Sequence, residues 1–137
     1  MAPKPDSGRL AATVLLVDDD DDFRAVLADS LEEDGCGVLD AGSGEAALAL
    51  LDEAAKGRAT PPDLMVLDLL MPRMSGIEVL QRLRKSRRWE SLPVLVVTAL
   101  NDPMLPVRLD LPIAFKPDAQ AVLDAIRVQL HLDRGSA

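Results

Sequence analysis

Five short apolar runs recur along the chain, at residues 13–17, 37–41, 64–67, 93–97 and 112–115. Each is rich in Val, Leu, Ile or Ala and too short to be a buried helix. Runs this short and apolar throughout predict strands covered on both faces, as in a parallel sheet. Between them lie segments whose apolar positions recur at helical spacing. Residues 21–34 place Phe23, Val26, Leu27, Ser30 and Leu31 on one stripe, with Gly35 as a stop signal. Residues 44–55 carry Ala47, Leu48, Leu51 and Ala55, with Ser43 as N-cap. Residues 75–86 carry Ile77, Leu80, Leu83 and Arg84, again headed by Ser, and residues 118–132 carry Val122, Leu123, Ile126 and Leu130 behind an N-terminal Asp. Strands alternating with helices of this length imply right-handed crossovers. The expected fold is α/β: a doubly wound five-stranded parallel sheet in a three-layer sandwich.

One segment breaks the rhythm. The alternation calls for a fourth helix near residues 101–111, yet Pro103 and Pro106 interrupt it and Pro112 follows. Proline removes a backbone donor and clashes with the preceding turn, so a shortened or distorted helix is expected. Residues 1–11, with Pro3, Pro5, Ser7 and Gly8, read as a flexible lead-in. The domain is expected over 12–133, with a tail at 134–137.

Composition narrows the class. In 137 residues, 48% are apolar and 28% charged, a globular balance, while aromatics are only 2%, so the core is aliphatic. The formal charge of −8 argues against nucleic acid or an anionic membrane as main partner, because both require a basic face. The single cysteine, Cys36, forms no internal disulfide and no multi-Cys metal site, which suits a reducing cytoplasm. The apolar run at 10–17 is too short for a membrane span and ends in five aspartates instead of a cleavage site, so neither an anchor nor a signal peptide is expected.

Open α/β sheets bind ligands beyond the carboxyl ends of their strands. There the sequence offers Asp18 and Asp19 after the first run, Asp68 after the third, Thr98 after the fourth and Lys116 at the end of the fifth. Clustered carboxylates repel unless a divalent cation joins them, and oxygen ligands suit Mg²⁺. A carboxylate beside such an ion can attack a phosphoryl group, while an ammonium and a hydroxyl hold the phosphoryl oxygens. The set therefore points to phosphoryl transfer onto an aspartate. Taken singly, each residue has a plainer reading: residues 18–22 as an acidic turn capping the next helix, Asp68 as a turn residue, Thr98 as a strand former, Lys116 as a surface charge. Asp20, Asp21 and Asp22 fit the capping role. It is the coincidence at successive strand ends that favours chemistry. A calcium loop starting at Asp18 is disfavoured, because Phe23 stands where its sharp-turn glycine belongs.

Leu15-Leu16-Val17-Asp18-Asp19, Leu67-Asp68-Leu69-Leu70-Met71-Pro72-Arg73-Met74-Ser75-Gly76, Val97-Thr98-Ala99 and Phe115-Lys116-Pro117 resemble the receiver domain of two-component response regulators. The resemblance runs from about Thr13 to Leu132. It implies a flavodoxin-like fold, with Asp68 as phosphoacceptor. It also implies Mg²⁺ held by Asp19 and Asp68, with Asp18 assisting and the Leu70 carbonyl completing the shell. Thr98 and Lys116 would grip the phosphoryl group, Lys116–Pro117 would be cis, and Gly76 would allow a tight approach into the third helix. The implied donor is a histidine kinase or a histidine phosphotransfer protein, and the output is altered binding of a partner protein.

Only five residues follow Leu132, so a stand-alone regulator without a DNA-binding or enzymatic output domain is expected. The stretch from Thr98 to Lys116 is shorter than the family usually has, and Ile113 stands where the family often has an aromatic switch residue. These departures lead to the expectation that output runs through another surface, near the first or the last helix. Leu70 and Leu100 cannot hydrogen-bond an attacking water, so slow loss of phosphate from Asp68 is expected. Two alternatives differ in class: a degenerate receiver acting as a phosphate-independent binding module, and a phosphatase of the haloacid-dehalogenase type using Asp18 as nucleophile. Cys36 reads as a core filler, His131 as a surface residue, and Trp89 as a surface anchor or a lid on the core.

Overall fold

The structure is a computed structural model, and it describes residues 12–99 and 110–133. Five strands form one parallel sheet in the order β2-β1-β3-β4-β5: β1 (Thr13–Val17), β2 (Gly37–Ala41), β3 (Leu64–Asp68), β4 (Val94–Ala99) and β5 (Ile113–Lys116). The helices are α1 (Asp21–Glu33), α2 (Gly44–Ala55), α3 (Gly76–Arg84) and α4 (Ala119–Asp133). The expected architecture is observed. The strand order reverses between β1 and β3, which opens a crevice at their carboxyl ends.

The strand pleat sorts the core into two layers. Leu15, Val17, Met65, Leu67, Val94 and Val96 face α2 and α3, whereas Val14, Leu16, Leu64, Val66, Leu95 and Val97 face α1 and α4. All twelve are buried, which is why β1, β3 and β4 read as unbroken apolar runs. β2 and β5 are different. They are edge strands, and most of their residues are only half-buried or exposed.

Helix termini follow local signals. Asp20, Ser43 and Ser75 each accept a hydrogen bond from the backbone N–H three residues on, and the Asp118 side chain does the same for Ala121. Gly35 adopts φ 92° after α1. Its N–H donates to the Glu32 carbonyl and that of Cys36 to the Leu31 carbonyl, a Schellman ending that requires a left-handed residue.

The helix stripes need three corrections. Val26 is 50% exposed, and Ala55 and Arg84 are exposed too, while Ala54 and Val79 are buried instead. In α1 the sheet covers only the narrow arc holding Leu27 and Leu31, so Val26, one residue earlier and about 100° away, turns to solvent. The same rotation takes Arg84 away from Leu83. Cys36 is half-buried against the α1/α4 layer, His131 is exposed, and Trp89 packs on the α2/α3 layer, as a lid. The shortened helix expected over 101–111 falls on residues outside those described, except Asp110 and Leu111, which are not helical. Leu100, the lead-in and the tail likewise lie outside the described residues.

Candidate functional site

Parallel pairing sets the site. Val17 pairs with Leu67 across β1 and β3, so the next residues, Asp18 and Asp68, emerge side by side. Asp68 in turn pairs with Val97 of β4, and Ala99 pairs with Lys116 of β5. The pleat then decides faces. Asp18, Asp68 and Lys116 share the parity of Leu16, Val66 and Ala114, the residues turned toward α1 and α4. Thr98 has the opposite parity, that of Val94 and Val96.

Lys116 joins the two carboxylates. Its Nζ lies 3.1 Å from Asp18 Oδ1, 3.0 Å from Asp18 Oδ2 and 3.4 Å from Asp68 Oδ2. Each carboxylate also closes a small turn: Asp20 N–H donates to Asp18 Oδ1 at 2.9 Å, and Leu70 N–H donates to Asp68 Oδ1 at 3.1 Å. Asp18, Asp68 and Thr98 are buried, whereas Asp19 is exposed. Carboxylate oxygens of Asp18, Asp19 and Asp68 all lie within 4.8 Å of one another. The Lys116–Pro117 peptide is cis.

This cluster carries three carboxylates against one ammonium. Burial pushes the Asp68 carboxyl up to about 7, and the neighbouring Asp18 charge adds to the effect; Lys116 and the Leu70 N–H oppose it only in part. Burial also acts against the Lys116 charge, but the hydrogen bonds and charges of Asp18 and Asp68 outweigh it, so Lys116 is held above its ordinary range. Oxygen donors with excess negative charge are what a hard divalent cation requires, so the residues present fit Mg²⁺.

Two further residues complete the site, and neither is assigned to it by the sequence motifs. Arg24 Nη1 donates to the Asp18 carbonyl at 2.6 Å, while its Nη2 lies 2.8 Å from Asp21 and its Nε 3.6 Å from Asp40 on β2. It braces the loop that presents Asp18 and Asp19. Phe23, expected only as part of the core stripe, puts its ring 5.0 Å from Lys116 Nζ, so the ammonium lies between an aromatic face and two carboxylates. The i, i+3 spacing of Asp21 and Arg24 is a visible signal for the first; nothing local signals the second, because Phe23 and Lys116 are far apart in sequence.

Gly76 begins α3 against the main chain of Asp68. A Cβ there would fall 2.7 Å from Leu69 Cα and against the Asp68 carbonyl. The Gly76 N–H donates to the Leu69 carbonyl at 2.9 Å. Glycine serves close approach here, not an unusual φ. The Leu70 side chain is 55% exposed at the mouth of the site.

Comparison with known proteins agrees with this geometry. Residues 14–110 match the response regulator receiver domain family. The chain is 39% identical over 127 residues to the transcriptional regulatory protein AfsQ1 of Streptomyces coelicolor, covering 90% of this chain and 52% of that one, so it spans about half the length of that relative. Among solved structures, it resembles the N-terminal domain of a response regulator receiver protein from Methanoculleus marisnigri (32% identity, TM-score 0.66, 85% of this chain and 94% of that one). It also resembles the chemotaxis protein CheY4 of Vibrio cholerae (26% identity, TM-score 0.68, 86% and 98%). The sheet order, the acidic crevice and these matches agree: the chain belongs to the receiver-domain family of response regulators.

Proposed function

We propose that Asp68 accepts a phosphoryl group from the phosphohistidine of a histidine kinase or of a histidine phosphotransfer protein. The observation that carries this reading is the Asp68 carboxylate itself, buried at the crevice end of β3, 3.4 Å from Lys116 Nζ and beside two further carboxylates. One Asp68 oxygen attacks phosphorus as the phosphorus–nitrogen bond breaks. The bonding pair returns to the imidazole, and the product is an acyl phosphate on Asp68. Lys116 follows the charge as it moves onto the phosphoryl oxygens, and Thr98, which leaves β4 on the opposite face, donates its hydroxyl to one of them past the end of the sheet.

In this reading Asp19 and Asp68 hold Mg²⁺, with Asp18 assisting and the Leu70 carbonyl completing the set. The bound ion supplies neutralisation of the converging negative charges. Arg24 and Phe23 act by holding Asp18 and Lys116 in place. The receiver occupies residues 12–133, works in the cytoplasm and signals by altered binding of a protein partner. It turns over no substrate beyond its own phosphorylation and slow dephosphorylation.

Intact-mass analysis after incubation with a small phosphodonor and Mg²⁺ tests this. One added phosphoryl group is expected, absent without Mg²⁺ and absent in Asp68→Asn. Modification at Asp18 instead would favour a phosphatase-like nucleophile. No phosphorylation, combined with no beryllofluoride complex, would overturn the reading.

A further inference from the structure

The chain is strongly acidic, yet five of its 15 cations crowd into residues 82–88: Arg82, Arg84, Lys85, Arg87 and Arg88. All five are exposed, at the C-terminal end of α3 and the turn after it. Four of them differ in environment from the other described cations. Arg24, Lys56, Arg58, Arg73, Lys116 and Arg127 each stand within ion-pair distance of a carboxylate. Arg82 pairs with Glu78 at 3.5 Å. Among the described residues, Arg84, Lys85, Arg87 and Arg88 make no ion pair; Arg84 only donates to the Glu90 carbonyl at 3.4 Å, and Arg88 lies over the Trp89 ring at 5.0 Å.

An apolar strip adjoins this patch. A groove of about 500 Å³ is lined by Ile77, Leu80 and Leu111 together with Arg84, Lys85 and the single carboxylate Asp110. Cations left unneutralised on a chain of net charge −8, next to partly open aliphatic surface, form a complementary surface for one kind of ligand.

We propose that this face docks an acidic segment of a partner protein, whose apolar side chains enter the groove while its carboxylates pair with Arg84, Lys85 and Arg87. Charge extent selects a short segment over a long polyanion. Screening limits the patch's field to about 8 Å, so a short segment meets only the patch. A nucleic-acid duplex or an anionic membrane would extend over the acidic remainder of the chain and be repelled. The inference goes beyond phosphoryl transfer and does not rest on it, although α3 carries both features: its first residue abuts Asp68 and its last is Arg84.

Trp89 is the chain's single tryptophan and sits beside the patch, so its emission reports occupancy. The probe is a short, labelled amphipathic peptide with leucines on one helical face and glutamates on the other. Binding, read by peptide anisotropy and Trp89 emission, is expected to weaken at least about tenfold in Arg84→Glu/Lys85→Glu/Arg87→Glu, and similarly on raising salt. The control Lys56→Glu/Arg58→Glu, just past the end of α2, is expected to bind as wild type. Should the triple variant fold poorly, the salt dependence and Trp89 response of the wild-type protein decide the question in its place. No binding, salt-independent binding, or equal binding by a folded triple variant would overturn the proposal. So would tighter binding of a DNA duplex or of anionic vesicles, or self-association of the chain through the same three cations in place of peptide binding.

Discussion

Gly76 stands with its Cα hydrogens against the main chain of Asp68, so the start of α3 and the end of β3 touch backbone to backbone. Any side chain at 76 meets the Leu69 Cα and the Asp68 carbonyl, neither of which can swing aside. Gly76→Ala is expected to destabilise the protein by roughly 2–3 kcal/mol and to impair phosphorylation by shifting Asp68. Thermal melts and intact-mass phosphorylation check both. An unchanged melting temperature would show that the α3 start relaxes freely.

The buried carboxylate also makes stability depend on pH. Asp68 titrates near 7 in the folded protein, against an ordinary value of 3.8. Between those values the folded state holds a proton that the unfolded chain releases. Stability from this group therefore falls as pH rises from about 4 to about 7, by an amount of order 2–4 kcal/mol. Asp68→Asn removes the cost, so in chelator the variant is expected to melt above wild type at about pH 8, with the difference shrinking toward about pH 4. A difference independent of pH would assign the effect to packing instead.

Mg²⁺ is expected to narrow that difference. A cation at ten times its dissociation constant adds about 1.4 kcal/mol to a protein that binds it only when folded. Wild type is expected to gain this stabilisation and Asp68→Asn to lose most of it, as read by melts in Mg²⁺ and in chelator.

Arg24 gives a separate handle on the same cluster. Its 2.6 Å bond to the Asp18 carbonyl and its reach to Asp40 hold the β1–α1 loop to β2. Arg24→Ala is expected to weaken Mg²⁺ binding about tenfold while leaving the carboxylates in place, as groups behind metal ligands commonly do. Lysine cannot span three partners and is expected to rescue little. Wild-type affinity in Arg24→Ala would reduce Arg24 to a surface contact.

Leu70 bears on phosphate lifetime. Its exposed side chain, at the mouth of the site, can neither donate to nor accept from an attacking water. Leu70→Asn is expected to speed loss of the phosphoryl group several-fold, followed by mass as the signal decays. An unchanged rate would mean that water is oriented by some other group.

Much of this protein is legible along the chain because its signals are local. A parallel strand buried on both faces must be apolar at every position, so β1, β3 and β4 are visible as runs. Ser43 and Ser75 cap helices through bonds that span three residues, and Gly35 ends one through its own φ. Asp18, Asp19, Asp68, Thr98 and Lys116 are recognisable because carboxylates and a lysine at strand ends have few other reasons to recur in that order. How those ends meet is set by packing and register. The parity that puts Asp18, Asp68 and Lys116 on one face and Thr98 on the other follows from strand register. Lys116 over Phe23, Arg24 on the Asp18 carbonyl and Gly76 against Asp68 all depend on packing distances that sequence separation does not encode. The helix stripes show the same division: period 3.6 identifies α1 and α3, but how much of each helix the sheet covers set Val26 and Arg84 outside and Val79 within.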